Sequence, residues 1–296
     1  MSENWTSGLK RMKQALSSAH AIAVFGLGGI SLENQHAAFR LMRMLGAFGT
    51  VERTLLPTLT RGSLVRHSLI LVVGGEPDFE IPPTCCVLRD DRLLAADAWR
   101  YLRILQRGRQ MAQTTAYEAL YSDIVSAGGA VFLPRTDHID SALHEELRAF
   151  RAASDLPNKL DWIQQTQTIN LLGAYETALE EASGACASFT DGEAKADEAF
   201  AIDALLQAQS LDAALLIGQG EAFAMRVLAA GVPLYVLGGE IPGAEVSVMT
   251  AQIGVDDGGT ILREDGMPIT VAPRENESLP RLGDILEDWL TEAGVC

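Results

Sequence analysis

Residues 21–61 read AIAVFGLGGISLENQHAAFRLMRMLGAFGTVERTLLPTLTR. This stretch begins with a short apolar run, turns through Gly26, Gly28 and Gly29, and continues with apolar residues at helical spacing over 33–45. A buried strand, a glycine turn and an amphipathic helix in this order are typical of the first half of a β–α–β unit. We therefore predict that the chain is organised around this strand, turn and helix.

Three more apolar runs end in glycine, and they read SLILVVGGEP (68–77), AALLIGQGE (213–221) and PLYVLGGE (233–240). Repeated strands of this kind predict a parallel sheet whose turns lie at the carboxyl ends of the strands, where ligands bind in such folds. Glycine turns within 253–271 predict a β-hairpin, and an amphipathic helix is predicted over 282–291.

The remaining elements follow from apolar periodicity. Strands are predicted at 85–88 and 130–133, and helices over 5–19, 95–105, 115–126, 139–153, 160–169, 171–182, 200–209 and 221–230. Residues 183–197 are poor in apolar side chains and rich in glycine, alanine, serine and acidic residues. This composition predicts a linker.

The composition limits the class of protein. The chain has 296 residues, which is enough for about two domains, and 48% of them are hydrophobic, which is ample for packed cores. The formal net charge of −16 argues against binding to nucleic acid or to an anionic membrane, and favours either solubility or docking onto a more basic protein. No apolar run approaches the ~20 residues of a membrane span, and the first residues lack the apolar core of a signal peptide. We expect a cytoplasmic protein.

Few residues could carry chemistry. His36 lies in the first turn of a predicted helix without a paired carboxylate or a second histidine, which favours a solvated or capping role over catalysis. Arg103, Arg107 and Arg109 form a basic cluster that either contacts an acidic ligand or subunit or places cations at a helix C-terminus, and the second interpretation is favoured. The triplet HEE at 144–146 lacks the histidine pair of a zinc helix and is predicted to be a solvated face.

The cysteines and the glycine turn give no catalytic set either. Cys85 and Cys86 lie in an apolar run and are predicted to be buried thiols, and the chain has no C-x-x-C pair. The turn at 26–31 approaches G-x-G-x-x-G but has Ser31 at the third glycine, and no acidic residue closes the next strand. P-loop and nucleophile-elbow motifs are also missing. From the residues we therefore predict no catalytic, cofactor-binding or metal-ligating residue.

A family resemblance is carried by four segments that follow one another in the chain. GLGGISLENQHAAFRLMRMLGA (26–47) resembles the segment of the B-type subunit of formylmethanofuran dehydrogenase in which a glycine turn, an E-x-Q and a helix ending in L-G-A precede the active site. SLILVVGGEP and SLDAALLIGQGEA (210–222) resemble two strands of that family, although Glu76–Pro77 stands where Asn–Pro is usual. The most specific match is IGVDDGGTILREDGMPI (253–269), which is similar to the family's tail G-I-E-x-x-G-T-x-Y-R-x-D-G-V-P-I.

This resemblance implies a molybdopterin oxidoreductase-like fold. We expect two interleaved Rossmann-like three-layer α/β domains with mostly parallel sheets, plus a C-terminal β-hairpin and helix. The first domain would comprise residues 1–62 and 191–296, and the second would be inserted as residues 63–190.

The departures from the family bear on activity. The dehydrogenases carry N-terminal cysteines for a four-iron–four-sulfur cluster and a metal-ligating cysteine in a C-H-G-P run, whereas residues 1–20 contain no cysteine and 51–62 contain neither cysteine nor histidine. A molybdenum or tungsten centre needs that soft ligand and a nearby electron relay. We therefore expect no cofactor and no redox catalysis in this chain.

The chain is most similar to the degenerate B-type subunit of the bacterial formyltransferase/hydrolase complex. The resemblance implies a scaffold without its own active site, in a complex that moves formyl from tetrahydromethanopterin to a methanofuran-type carrier and releases formate. Expected partners are the hydrolase-type, formyltransferase-type and C-type subunits, and the acidic polyglutamate-like tail of the carrier. Two alternatives stay open: a residual molybdopterin-type formylmethanofuran dehydrogenase subunit, and a stand-alone nucleotide-binding α/β enzyme.

Overall fold

The structure is a computed structural model that describes residues 5–136, 139–166, 168–190, 192–273 and 279–294. In chain order the strands are β1 (Ile22–Gly26), β2 (Phe48–Thr50), β3 (Leu69–Val73), β4 (Cys86–Arg89), β5 (Ala130–Pro134), β6 (Leu160–Trp162), β7 (Cys186–Ser188), β8 (Lys195–Ala196), β9 (Ala213–Ile217), β10 (Leu234–Leu237), β11 (Val246–Val248), β12 (Gly259–Leu262) and β13 (Pro268–Val271). The α-helices are α1 (Trp5–Ser18), α2 (Leu32–Leu45), α3 (Ala96–Gln106), α4 (Glu118–Ser126), α5 (Ser141–Ala153), α6 (Leu171–Ala182), α7 (Ile202–Gln207), α8 (Glu221–Ala229) and α9 (Leu282–Glu292). Short 3-10 helices lie at Arg61–Arg66, Asp91–Leu94, Ala112–Tyr117 and Glu198–Phe200.

The chain divides into two compact units. Unit 1 comprises Met1–Glu52, Thr168–Arg263 and Pro268–Cys296, and unit 2 comprises Arg53–Gln167 and Glu264–Met267. These bounds differ from the predicted division into 1–62 with 191–296 and an inserted 63–190. The reason lies in the stretch that the prediction assigned to the inserted domain: α6 buries Ala174, Ala178 and Ala182 in the core of unit 1, and β7 pairs with β2.

Unit 1 contains a seven-stranded sheet in the order β11-β10-β9-β1-β2-β7-β8. The five strands from β11 to β2 are parallel, and β7 and β8 are antiparallel to their neighbours. Successive residues of β1 point to opposite faces, because strand side chains alternate: Ile22 and Val24 belong to one apolar cluster, and Ala23 and Phe25 to the other. A central strand buried on both faces explains why residues 21–25 are continuously apolar.

Helices cover both faces of this sheet. Four helices bury apolar residues in the first cluster, namely α1, α2, α6 and α9, and two bury residues in the second, namely α7 and α8. The helix after the glycine turn is capped at both ends: the Ser31 side chain accepts a hydrogen bond from the Asn34 N–H, and Gly46 ends α2 in the left-handed conformation.

Unit 2 contains a four-stranded parallel sheet in the order β4-β3-β5-β6. Helices α3, α4 and α5 cover one face, where Trp99 packs edge-on against Phe132 and Phe150. The opposite face carries Ile70 and Val72 and is covered by Leu64 of the first 3-10 helix together with loop residues. The four strands that run into glycine are therefore shared between two sheets, with three in unit 1 and β3 in unit 2.

Two predicted segments have a different structure. Residues 160–169 were predicted to be helical, but Leu160 and Trp162 are buried and β6 pairs with β5, so this segment begins as a strand. Residues 183–197 were predicted to be a linker, but they contain β7, whose three residues are buried, and the exposed strand β8. Both errors concern strands of two or three residues, which are too short for a period-two pattern to be recognised.

The predicted hairpin is present, since β12 and β13 pair antiparallel from Gly259↔Val271 to Leu262↔Pro268, and α9 follows it. Mostly parallel sheets with packed helices confirm the predicted mixed α/β class. None of the described helices is both long and apolar enough to cross a lipid bilayer.

Candidate functional site

The glycine turns of unit 1 lie together at the carboxyl ends of β1, β9 and β10. Gly26 is in register with Ile217 at the end of β9, and Gly218 and Gly238 follow β9 and β10 directly. In a parallel sheet this edge is the usual place for a ligand. The turns are therefore the first candidate site.

Protein atoms occupy the space that these glycines leave. A Cβ built on Gly218 would come within 2.3 Å of the Gly28 carbonyl oxygen, and one built on Gly28 would come within 2.3 Å of Cγ2 of Thr168. A Cβ on Gly29 would come within 2.7 Å of Cδ in the Gln219 side chain. The glycines are thus required because two turns and a carboxamide side chain pack against one another.

Backbone donors of the first turn are also engaged. The Leu27 N–H donates to the Ile217 carbonyl at 2.8 Å, and the Gly29 N–H donates to the Ile169 carbonyl at 2.6 Å. Phosphate-binding glycine turns work by presenting such N–H groups to the anion. These two donors therefore already have partners within the protein, and they connect the turn to neighbouring segments.

A buried glutamine forms hydrogen bonds that connect two helices to the glycine turn. The Gln35 side chain is fully buried, and its Nε2 donates to the carbonyls of Leu27 at 2.9 Å and Asn170 at 3.2 Å. Its Oε1 accepts from the Thr177 hydroxyl at 3.3 Å. Asn170 in turn donates from Nδ2 to the Ile30 carbonyl at 2.7 Å. The glutamine of the E-x-Q motif therefore ties α2 and α6 to the glycine turn.

The glutamate of the same motif binds the C-terminal hairpin. Glu33 Oε2 accepts from the Thr260 N–H at 3.1 Å. Burial acts to raise the pKa of Glu33, but hydrogen bonds from its own backbone, from Thr260 and from Ser31 together hold it below the ordinary value. Asn170 Oδ1 also accepts from the Leu262 N–H at 2.8 Å. Two segments that carried the family resemblance, 26–47 and 253–269, are thus joined by hydrogen bonds within unit 1.

His36 takes part in an ion-pair cluster. Its Nδ1 lies 2.9 Å from Glu181 Oε1, and Arg43 lies 2.6 Å from the other oxygen of that carboxylate. Burial acts to raise the pKa of Glu181, but its hydrogen bonds to His36 and Arg43 hold it below the ordinary value. The cluster joins α2 to α6, so it offers a structural role for His36 rather than the solvated or capping role that the sequence favoured.

The basic cluster and the HEE triplet meet in unit 2. Arg103, in the last turn of α3, pairs with Glu146 at 2.7 Å, and Arg100 reaches the same carboxylate at 3.2 Å. Arg107 and Arg109 are exposed just beyond the helix. Burial, and next the nearby Arg148, hold the pKa of His144 below its ordinary value. The triplet is only partly solvated, because Glu146 connects α5 to α3.

The prediction for the adjacent cysteines is wrong for Cys86, which is exposed at the start of the edge strand β4. Cys85 is half-buried, and its thiol lies 3.2 Å from the His67 carbonyl oxygen. Cys186 is buried in β7. Cys296 lies outside the described residues. An edge strand has one uncovered side, which the local apolar run does not reveal.

A polar cluster that the sequence analysis did not select lies in unit 2. Arg61 pairs with Glu264 at 2.7 Å and Asp78 at 3.3 Å, and its backbone N–H donates to the Asp265 carboxylate at 2.9 Å. Its guanidinium also lies over the ring of Phe79. The acidic residues Glu264 and Asp265 beside Gly266 could have been selected from the sequence. Their contact with Arg61 could not be predicted, because they are far from it along the chain. With its carboxylates paired to arginine, the cluster fastens the tip of the hairpin within unit 2.

The residues present do not fit a molybdenum or tungsten centre at the glycine turn of unit 1. No thiolate lies in the family's ligand segment, because 51–62 contains no cysteine. Across the described ranges, no group of three or more histidine, cysteine, aspartate and glutamate side chains could hold a metal ion. The side chain of Gln219 fills space beside the turn. We therefore derive no chemical step through such a centre.

No family model and no curated protein matches this chain. Among solved structures, the chain is similar to one chain of the formyltransferase/hydrolase complex (FhcABCD) from Methylorubrum extorquens in complex with methylofuran. The two chains share a fold. The TM-score is 0.74 at 15% sequence identity, and the similarity covers 100% of this chain and 98% of that one.

Proposed function

We propose that this chain is a scaffold subunit of the B type in a cytoplasmic formyltransferase/hydrolase complex. The complex would transfer formyl from tetrahydromethanopterin to a methanofuran-type carrier and hydrolyse it to formate. The reacting groups would belong to the hydrolase-type and formyltransferase-type subunits, and a C-type subunit would complete the assembly. The present chain would hold the other subunits in position and make the assembly rigid.

The observation that carries this proposal is the likeness along the whole chain. The TM-score is 0.74 and the similarity covers 100% of this chain and 98% of the other, so the two chains have nearly the whole fold in common. The filled glycine turn supports a non-catalytic role, since Gln219 and Thr168 occupy the space beside it. The net charge of −16 supports assembly with more basic partner subunits.

We also propose that the chain touches the acidic tail of the carrier through Arg107 and Arg109. Both side chains are exposed, whereas Arg103 is paired with Glu146. An exposed arginine gives a modest, salt-sensitive attraction to a carboxylate. The contact would guide the carrier and take no part in the chemistry.

The proposal is tested by assembling the chain with its three partner subunits and measuring formate release. We expect His36→Asn and His144→Asn to leave the turnover number within about twofold of the unmodified complex, because neither side chain would touch a substrate. Arg107→Gln combined with Arg109→Gln should raise the KM for the carrier without lowering the turnover number. Arg148→Gln, at an exposed position of α5, is the matched control.

Three results would contradict the proposal. One is a purified chain that is monomeric in extracts of its own cells and recovers no partner subunits. Another is molybdenum, tungsten or a nucleotide bound in stoichiometric amount, which would favour the dehydrogenase or the stand-alone enzyme. The third is a large loss of turnover in either histidine variant while all four subunits remain assembled.

A further inference from the structure

Unit 2 contains a cleft of about 490 Å³ whose lining includes none of the glycine-turn residues. It lies where the 3-10 helix at Arg61–Arg66 faces the segment that leads into β6. The lining includes basic and hydroxyl side chains that could bind an anion, namely Arg66, His67, Arg151, Lys159, Thr60 and Ser63. Asp161 is the one carboxylate among the described residues that line it. The cleft is therefore a local excess of positive charge in an acidic chain.

The single carboxylate of the cleft is already neutralised. Asp161 Oδ1 accepts from Arg151 at 3.0 Å, and Oδ2 lies 3.3 Å from Nε2 of His67. Arg151 also lies over the ring of Trp162, with 5.3 Å from its Cζ to the ring centroid. These contacts hold the guanidinium at the wall of the cleft. The negative charge of Asp161 therefore cannot fully compensate the positive charge of a further cation in the cleft.

Two further cations have no carboxylate partner among the described residues. Arg66 and Lys159 are both exposed, and neither forms an ion pair within that part of the chain. The whole sequence has 39 acidic residues and 23 lysines and arginines, so a carboxylate partner would be expected for most cations. Two unpaired cations in one cleft depart from that expectation. Lys159 is moreover held in the left-handed conformation, with φ of 45°, where a non-glycine residue is strained.

One buried polar atom of the cleft lining is also without a partner among the described residues. The His67 side chain is only 7% exposed, and its Nδ1 has no hydrogen-bond partner within the described residues. A buried polar atom without a partner is energetically unfavourable. The hydroxyls of Thr60 and Ser63 lie 3.2 Å apart and hydrogen-bond to each other, so one O–H group is engaged and the other can donate to a ligand.

We propose that this cleft binds an oxyanion, either a carboxylate or a phosphate group. Arg66 and Lys159 would contact the anion directly, and Arg151 would supply a third cation whose orientation Asp161 sets. Arginine forks and lysine ammonium groups are the usual ligands of such anions in proteins. The inference does not depend on the proposed function, because it concerns only the charges and donors of this cleft.

The test is calorimetric titration of the full chain, alone or within its assembled complex, at low ionic strength. Inorganic phosphate and a triglutamate peptide are the two probes, and they separate the two sources of the anion. We expect saturable binding of at least one probe, weakened at least tenfold by Arg66→Gln combined with Lys159→Gln. Arg148→Gln combined with Lys10→Gln removes the same charges from exposed positions and is the matched control.

Thermal unfolding of each variant verifies that it is folded, which is expected because all four side chains are exposed. Binding of phosphate alone, of the peptide alone or of both supports the site and identifies its chemistry. The proposal is overturned if neither probe binds saturably. It is also overturned if the cleft variant binds like the unmodified protein, or if the control pair weakens binding equally.

Discussion

The clearest prediction concerns Gln35, the buried glutamine beside the glycine turn. Gln35→Met keeps an unbranched side chain of similar length and removes the carboxamide. The Leu27 carbonyl then loses the Gln35 donor and the Thr177 hydroxyl loses its acceptor, whereas the Asn170 carbonyl keeps the Ala174 N–H at 3.1 Å. Each buried group left without a partner costs about 1–3 kcal/mol, and the apolar side chain returns part of this. We expect a net loss of about 2–3 kcal/mol in the free energy of unfolding of unit 1.

Urea unfolding followed by circular dichroism measures this loss, with hydrogen exchange read by mass spectrometry to assign it to peptides of unit 1. Gln14→Met is the matched control, because Gln14 is exposed on α1 and its replacement should change stability by less than about 0.5 kcal/mol. A Gln35→Met variant as stable as the control would contradict this expectation. An equal loss of protection in peptides of unit 2 would contradict it as well.

Two further predictions test the same unit. Gly218→Ala places a Cβ 2.3 Å from the Gly28 carbonyl oxygen, at a residue with φ of 77°. We expect the free energy of unfolding, measured in urea, to fall by more than about 3 kcal/mol. Gly231→Ala is the control, because this residue has a similar φ but no atom within 4 Å of the new Cβ, and its loss should be clearly smaller. Hydrogen bonds outweigh burial and hold the pKa of Glu181 below its ordinary value of 4.5. The resulting stabilisation is complete above that pH and is lost as the pH falls below it. Glu181→Gln should therefore reduce the fall in the free energy of unfolding between neutral and acidic pH. An unchanged pH profile would contradict this expectation.

Several elements could be predicted from the sequence because their signal is local. The strands at Ala213–Ile217 and Leu234–Leu237 are continuous apolar runs that end in glycine, and the structure has them at the predicted positions. The helix Leu171–Ala182 likewise follows from apolar periodicity. Each of these segments is long enough, or apolar enough, for its period to decide between helix and strand.

Other elements could not be predicted because their signal is distant. β6 and β7 are strands of three residues that are defined by pairing with β5 and β2 rather than by their own periodicity. The exposure of Cys86 depends on β4 being at the edge of its sheet. The partners of His36 and Arg61 lie 145 and 203 residues away along the chain. No pattern within one window contains such contacts.

For the candidate site, the glycines themselves were evident from the sequence, but their role was not. A glycine turn after a buried strand is compatible with an open anion cradle and with a close backbone contact, because both require the absence of Cβ. The α/β class, the positions of the main strands and the lack of a thiolate in 51–62 follow from the amino-acid sequence alone. That the turn is filled follows only from the folded chain, because Gln219 and Thr168 reach it from segments more than 100 residues away. The same is true of the basic cleft, whose charges are separated in sequence and meet only when the chain folds.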